Sequence, residues 1–466
     1  MVMTVNLDRE NNEVVQGSGA SALRRLFWRV HFWAGLITTP IILFAALTGL
    51  LYVFTPEIEA WRHAGLDQVP VSQELVSLDE QVQAALQAFP DQAVRSVVPA
   101  HQPGNTTQVV LRPPHEHHAA MGMTGAGNSG QAGKGEHGHG LPRGSIVYIN
   151  PANAEVVGSL QEMERFKTWA KRLHSSALQG NSWRWIIELG ASWMLLMLIT
   201  GIVMWWPRSQ AQGGRGWQAL VPRLGKGRLT WRDAHALLGL AMGLVLAVLM
   251  VTGLTWSRQA GENFRSLQKA LAQEAPKPPS SLQSTRPPGA TPLSWQAAYA
   301  LARDQAPDIS LQLTPPQGSQ GVWRIENFDR DQPTKRFQLA LDAYSGSTLF
   351  ATAWRDLPLF AKSTAVGIPF HRGEFGLWNR VLLVLAALVT LFSVVSGWVM
   401  WWKRRPQGSV AAPSLTLRQL KGVPGWLWLM AGVLCWALPV WGWSVLALVA
   451  TEIAGALVHR GFARGL

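Results

Sequence analysis

Five stretches of the chain are apolar and contain no Asp, Glu, Lys or Arg over at least 18 residues: 32–54, 189–206, 236–257, 381–402 and 422–451. A helix of that length crosses the roughly 30 Å hydrocarbon core of a bilayer. The pattern predicts an α-helical transmembrane bundle with four core spans, at residues 31–54, 185–206, 234–257 and 378–402. A fifth hydrophobic segment, residues 426–450, contains Pro439, and the sequence leaves open whether this segment crosses the membrane or re-enters it.

The two long connections between spans show a different pattern. Residues 55–184 contain the helix-like segment "LDEQVQAALQAF", and residues 258–377 contain "LSWQAAYALARDQ". In both connections, segments with alternating apolar and polar residues follow, separated by turn residues. This order predicts a small α+β domain in each connection. We therefore expect an internal twofold repeat in which each half consists of a span, an α+β domain and a second span.

Charge is distributed unevenly along the chain. Residues 207–232 contain six Lys and Arg and no acid, and residues 403–425 contain five and no acid. Short basic loops mark the cytoplasmic side of a membrane. We expect the N-terminus (1–30) and the loops 207–233 and 403–425 to be cytoplasmic, and the α+β domains to be periplasmic, in a bacterial inner membrane. The side of the tail, residues 451–466, depends on the fifth segment.

Composition excludes several classes of site. The net charge of +13 is concentrated in these loops, which indicates a lipid bilayer and not nucleic acid as the partner. Cys435 is the single cysteine of the chain. A disulfide framework, a cysteine-ligated iron–sulfur cluster and c-type haem are therefore excluded.

Short sequence motifs recur at the ends of the spans. His31 precedes the pair Thr48-Gly49 by 17 residues, and "GIVMWW" closes span two. The second half of the chain repeats these motifs and their spacing, which predicts a pseudo-twofold axis along the membrane normal. His31 would then face its counterpart at the inner face, and His174 its counterpart at the outer face. The repeated elements are His235 with Thr252-Gly253, His174 with Thr200-Gly201, His371 with Ser396-Gly397, and "GWVMWW".

Four paired histidines predict haem. Neutral imidazole is a good iron ligand, and two axial imidazoles make a low-spin electron-transfer haem without any cysteine. The pairs His31/His235 and His174/His371 thus predict two bis-histidine haems b. For any one residue, a polar anchor or helix packing is the alternative interpretation. Glycines that would admit the porphyrin and cations that would hold its propionates are Gly201, Gly397, Arg29 and Arg232 on the inner side, and Gly49, Gly253, Lys171, Arg172 and Arg372 on the outer side.

The chain resembles a known family in the sequence motifs around these span-end histidines. "WRVHFWAGL", "RLHSSALQG", "WRDAHALLGL", "PFHRGEFG" and the two Met-Trp-Trp closures are similar to those of PepSY-associated transmembrane proteins, which include siderophore-iron reductases of the ferrioxamine-reductase type. The resemblance implies four core spans, two periplasmic PepSY domains and b haems held by His31 with His235 and by His174 with His371. It also implies delivery of electrons to a ferric siderophore in the periplasm.

A Gly-rich insert, residues 115–140, departs from the family pattern. Its imidazole and thioether side chains indicate a flexible loop that binds Cu or Zn weakly, and an inert solvated insert is the alternative. The candidate ligands are His115, His117, His118, His137, His139, Met121 and Met123.

Three functions remain open from the sequence. The first is a metalloreductase that reduces a ferric siderophore. Because no Gly-x-Gly-x-x-Gly directly follows a predicted strand and no flavin domain is visible, its electron donor must be external, a quinol or a cytosolic reductase. The second is periplasmic handling of copper or another metal, and the third is a non-catalytic PepSY anchor.

Overall fold

The computed structural model describes residues 7–112, 144–205, 218, 220–306, 308–405 and 423–464. The chain divides into two compact units. We call Met1–Leu50, His174–Leu267 and Val381–Leu466 the helical unit, and Leu51–Leu173 and Gln268–Arg380 the sheet unit. The helices, in chain order, are α1 (Leu7–Val53), α2 (Thr55–Asp67), α3 (Leu78–Ala88), α4 (Phe166–Ser176), α5 (Arg184–Trp205), α6 (Arg228–Leu254), α7 (Gln259–Ala270), α8 (Trp295–Gln305), α9 (Leu359–Arg372), α10 (Leu377–Trp402), α11 (Gly425–Ala437) and α12 (Pro439–Arg464).

Within the described residues, four helices are long and apolar enough to cross a membrane. They are the segments Leu23–Val53, Asn181–Trp205, Arg228–Leu254 and Leu377–Trp402, of 31, 25, 27 and 26 residues. At 1.5 Å per residue, each exceeds the roughly 30 Å of a hydrocarbon core. These helices are the four predicted spans, and α6 begins earlier than expected, inside the predicted loop 207–233. The sequence thus predicted a membrane protein correctly.

Small residues let the span helices approach one another closely. A Cβ atom on Gly190 of α5 would lie 2.6 Å from the side chain of Ile41 on α1, so only glycine fits there. Trp398 of α10 donates from Nε1 to the Thr39 hydroxyl of α1 at 3.4 Å. Close backbone contact of this kind is how helices associate where the surrounding lipid is as apolar as the side chains.

The fifth hydrophobic segment forms two helices. The chain leaves helical geometry at Leu438 (φ −124°, ψ 73°), directly before Pro439, and α11 ends at Ala437. Proline explains the break because it has no N–H to donate and clashes with the preceding turn. The two helices pack together beside the break, since a Cβ atom on Gly442 would lie 3.2 Å from the Cβ of Cys435. α11 has 13 residues, about 20 Å of helix, which is shorter than a span.

The C-terminal helices also pack on span two. Trp193 of α5 donates from Nε1 to the Ser444 hydroxyl of α12 at 3.0 Å. Its ring lies edge-on to Trp441, with centroids 5.8 Å apart. Both tryptophans belong to a buried apolar cluster with Leu438 and Ala34, so the pair α11–α12 is part of the packed helical unit.

The sheet unit contains one antiparallel sheet of eight strands, in the order β4-β3-β2-β1-β5-β6-β7-β8. Each run of four consecutive strands is a meander that follows one helix, α3 or α8. The meanders join where β1 and β5 pair at Val97 and Leu313. The sequence predicted two α+β domains, but their strands form one sheet. The strands are β1 (Ala93–Val98), β2 (Thr107–Arg112), β3 (Ser145–Ile149), β4 (Val156–Gln161), β5 (Leu311–Thr314), β6 (Val322–Asn327), β7 (Phe337–Asp342) and β8 (Thr348–Ala353).

Helices α3 and α8 lie together on the sheet and cap each other. Asp79 of α3 accepts hydrogen bonds from the backbone N–H groups of Trp295 and Gln296, at 2.8 and 3.0 Å. Gln296 in turn accepts from the N–H of Leu78 at 2.9 Å. These bonds satisfy helix N-terminal donors that have no partner within their own helix. Alanines of both helices are fully buried in one core with strands of both meanders, which explains why the halves form one unit.

A charged cluster anchors the start of α4. Arg165 donates to Glu59 at 2.8 Å and to Asp67 at 3.0 Å, and it also bonds the Tyr148 hydroxyl. Glu59 accepts from the backbone N–H of Lys167 at 2.9 Å. Because α4 runs from Phe166 to Ser176, this cluster fixes the beginning of the helix whose last turn carries His174.

Replacement of Arg165 by Met should lower the free energy of unfolding by about 3 kcal/mol, because two partly buried carboxylates lose their shared cation. Circular dichroism of the full-length protein in detergent should show the β signal melting several degrees lower. Arg62→Met, at an exposed arginine of α2, serves as the control and should melt like the wild type. Equal melting of the two variants would contradict the assigned role of this cluster.

Candidate functional site

The structure brings His31 and His235 together. His31 lies on α1 and His235 on α6, both in the helical unit. Their ring centroids are 6.4 Å apart and their planes make an angle of 77°. The twofold repeat of the sequence predicted this pairing, although the two residues are separated by about two hundred positions.

A hydroxyl on a neighbouring span fixes the His31 ring. Nδ1 of His31 lies 3.0 Å from Oγ1 of Thr200 on α5. The Thr200 hydroxyl has one hydrogen, which it donates to the Leu196 carbonyl at 2.8 Å. With the hydroxyl hydrogen on that carbonyl, the Thr200 oxygen accepts from the imidazole. In this arrangement His31 carries its proton on Nδ1 and its lone pair on Nε2, the nitrogen that would bind a metal.

The same arrangement occurs at His235. Nδ1 of His235 lies 2.8 Å from the Ser396 hydroxyl on α10, which donates to the carbonyl of Ser393 at 3.1 Å. This imidazole is thus also protonated on Nδ1. A hydrogen bond from the second ring nitrogen is how metal-binding histidines are held in the required tautomer and orientation.

His174 repeats the arrangement a third time. Its Nδ1 lies 2.9 Å from the Thr48 hydroxyl of α1, and that hydroxyl donates to the Phe44 carbonyl at 2.7 Å. Sequence reasoning singled out the Thr-Gly and Ser-Gly pairs for their glycines and missed the hydroxyls. The signal was present, because a hydroxyl residue precedes glycine in each of the four span-end words.

The predicted glycines make room for imidazole. A Cβ atom on Gly201 would lie 3.3 Å from Cε1 of His31, and one on Gly49 would lie 3.5 Å from Cε1 of His174. From the sequence, these glycines were expected to let a porphyrin approach the helix backbone. In the structure their nearest neighbours are the histidine rings. A Cβ on Gly397 would meet no atom within 4 Å, and Gly253 lies in the last turn of α6.

An apolar cavity of about 200 Å³ opens beside His174. It is lined by Pro40, Ile41 and Phe44 of α1 and by side chains at the start of span two, among them Ile187. The chain turns sharply after α4, since Ala177 and Leu178 both have left-handed φ angles, 48° and 66°. Residues other than glycine rarely adopt this backbone conformation. Such backbone strain is concentrated at functional sites.

His371 belongs to the sheet unit. It lies in the last turn of α9. Gly373, in the left-handed conformation (φ 73°), caps the end of this helix. The N–H of Glu374 bonds the Pro369 carbonyl at 2.9 Å, which completes a glycine-terminated helix end. Because His174 belongs to the helical unit, the pairing of His174 with His371 stays a prediction.

Two of the predicted cations are bound by carboxylates of the chain itself. Arg232 pairs with buried Asp233 at 2.7 Å, and Asp233 also receives two hydrogen bonds from the Arg223 guanidinium. Arg372 pairs with Glu374 at 2.6 Å and donates to the Tyr52 hydroxyl at 3.3 Å. The remaining predicted cations lie near the same histidines in the chain, on α1 and α4: Arg29, Lys171 and Arg172.

The separation of the His31 and His235 rings fits a haem held between them. Among the described residues, no group of three or more His, Cys, Asp and Glu side chains could hold a metal ion. An imidazole nitrogen binds a metal at about 2.0–2.1 Å, so two imidazoles on opposite sides of one ion have ring centres about 6 Å apart. The His31/His235 separation of 6.4 Å matches that arrangement, in which a porphyrin supplies the other four nitrogens.

The predicted weak metal loop lies outside the described residues. Its candidate ligands, from His115 to His139, therefore stay a prediction from the sequence.

Comparison with protein families covers most of the chain. The family model described as the PepSY-associated TM region matches residues 28–404, a range that includes all four predicted haem ligands and ends before α11. A comparison with curated proteins finds no match. The extent of the family match establishes that the chain belongs to the family of proteins with a PepSY-associated transmembrane region.

Proposed function

We propose that this protein is a haem b electron-transfer protein of the bacterial inner membrane, and that it reduces a ferric siderophore in the periplasm. Its reaction is a one-electron reduction, in which the ferric chelate accepts an electron and becomes a ferrous chelate. The electron comes from an external donor, a quinol or a cytosolic reductase. The single observation that carries the proposal is the close pair His31/His235, with ring centroids 6.4 Å apart and each Nδ1 bonded to a hydroxyl.

Two bound haems would supply one-electron transfer. His31 and His235 would hold one group, and His174 and His371 the other. Thr200, Ser396 and Thr48 keep the proton on Nδ1 of three of these imidazoles, which puts the lone pair that would bind iron on Nε2. The apolar side chains around His174 would keep water away from the bound group.

The proposed orientation rests on charge. The basic loops 207–233 and 403–425 would be cytoplasmic with the N-terminus, and the sheet unit would then be periplasmic. His31 and His235 would lie at the donor side, and His174 and His371 at the side of the iron complex. The internal repeat of the sequence supports the same arrangement, because both halves place one histidine at each face.

Replacement of His31 by Ala should remove about half of the haem and leave the rest, because the outer pair does not use this residue. Haem per chain, measured on protein purified in detergent, tests this prediction. His101→Ala is the matched control, since His101 lies in the sheet unit 3.7 Å from Asp308 and belongs to neither pair. Unchanged haem content in His31→Ala would remove the assignment.

Replacement of Thr200 by Val should raise the midpoint potential of the inner haem by about 40 mV, because a lost hydrogen bond of about 1 kcal/mol makes the imidazole a weaker donor to ferric iron. Thr200→Ser keeps the hydroxyl and should titrate like the wild type. Spectroelectrochemistry of the three proteins gives the potentials. Identical potentials in the Val and Ser variants would show that the hydroxyl does not tune this site.

Replacement of His371 by Ala should abolish reduction of an external ferric siderophore while the inner haem remains reducible. The measurement is trapping of ferrous iron outside vesicles of known orientation that hold the electron donor inside. His101→Ala again serves as the control and should keep the wild-type rate. A wild-type rate in His371→Ala would exclude His371 from the exit of the electron path, and no reduction by the wild-type protein would refute the proposed function.

A further inference from the structure

A small open cleft, with a cavity volume of about 40 Å³, lies in the sheet unit between the β6–β7 connection and α9. One wall carries the guanidinium groups of Arg330 and Arg336 with the amides of Asn327 and Gln338. The other wall is the last part of α9, where Ile368 and Pro369 contribute. His371 follows on the same helix, within its last turn. The cleft is therefore close in the chain to the proposed exit of the electron path.

Within the described part of the chain, neither arginine forms an ion pair with a carboxylate within 4.0 Å. Glu326 also lines the cleft, and its charge acts on Arg336. Asp329, next to Arg330 in sequence, has Asp331, His101, Lys167 and Glu374 as its electrostatic neighbours. Arg336 is partly buried, and burial, followed by the charge of Arg330, lowers the pKa of its guanidinium, while the charge of Glu326 acts in the opposite direction. The residues that line the cleft thus include two cations and one acid.

Guanidinium groups bind carboxylates with two parallel hydrogen bonds, which makes arginine the preferred residue for such anions. The amides of Asn327 and Gln338 add neutral hydrogen-bonding groups beside the two arginines. The single acid, Glu326, leaves an excess positive charge in the cleft. A neutral or cationic ligand would gain little from this wall, because it could not relieve the repulsion between the two guanidiniums.

We propose that this cleft binds a carboxylate group of an anionic ferric chelate, with Arg330 and Arg336 as the anion-binding residues. That the ligand carries ferric iron rests on the proposed function. That the cleft binds a carboxylate rests on the residues of the cleft alone. It would place the chelate beside the helix that carries His371. The protein would then favour carboxylate-bearing iron complexes over cationic hydroxamate complexes.

The test uses gallium citrate, a chelate that cannot be reduced, and calorimetry on the full-length protein in detergent. Arg330→Gln combined with Arg336→Gln should raise the dissociation constant at least about tenfold, because each lost charge-assisted hydrogen bond contributes about that factor. Arg286→Gln, at an exposed arginine of the sheet unit outside the cleft, should bind like the wild type. Arg336→Lys keeps the positive charge but loses the planar group that makes two parallel hydrogen bonds. Its dissociation constant should lie between those of the wild type and the double variant.

Failure to bind gallium citrate, or equal binding by wild type and the double variant, would overturn the cleft assignment. Circular dichroism of the double variant checks that it is folded, and Arg336→Lys provides a milder change if it is not. Reduction assays separate this inference from the proposed function. Loss of ferric citrate reduction in the double variant, with reduction of ferrioxamine B retained, supports the cleft. Gallium citrate binding without reduction of any chelate would refute the proposed function and leave the carboxylate site intact.

Discussion

The hydrogen bond between a half-buried imidazole Nδ1 and a hydroxyl on a neighbouring helix is the constraint on which the helical unit depends. An unpaired N–H in an apolar bundle is costly, and here a Thr or Ser oxygen satisfies it. Each hydroxyl also donates to a carbonyl of its own helix, and with its hydrogen there its oxygen accepts from the ring. That arrangement places the ring proton on Nδ1 and the lone pair on Nε2. Gly201 belongs to the same arrangement, since a Cβ atom there would lie 3.3 Å from the His31 ring.

Much of this site was visible in the sequence, and the reason is periodicity. Charge-free stretches of helical length predicted the four spans, and equal spacing between His and Thr-Gly predicted that His31 would face His235. The hydroxyl contacts could not be read in the same way. The spacing of 17 residues joins His31 to Thr48 on one span, whereas His31 bonds Thr200 on another. That partner depends on how α1 and α5 pack, which a linear pattern does not contain.

The sheet unit shows a similar limit. Alternating apolar residues predicted the strands and their helices, and the repeat suggested two separate domains. The structure pairs β1 with β5 and buries α3 and α8 in one core, with Asp79 and Gln296 capping the opposite helices. A pairing between strands of different halves has no local signal, because it depends on which edge strand remains open. Pro439 is the opposite case, since its effect on the fifth segment is local and was apparent in the sequence.

The central claim is that paired imidazoles, His31 with His235 and His174 with His371, hold haem. The most direct measurement is the absorption and electron paramagnetic resonance spectrum of the wild-type protein, purified in detergent from haem-supplied cells. The account predicts two haems b per chain with six-coordinate, low-spin ferric iron. For the His31/His235 haem it predicts the strongly anisotropic resonance expected when the two imidazole planes are nearly perpendicular, as their 77° angle indicates. A colourless protein, or a high-spin five-coordinate haem, would contradict it.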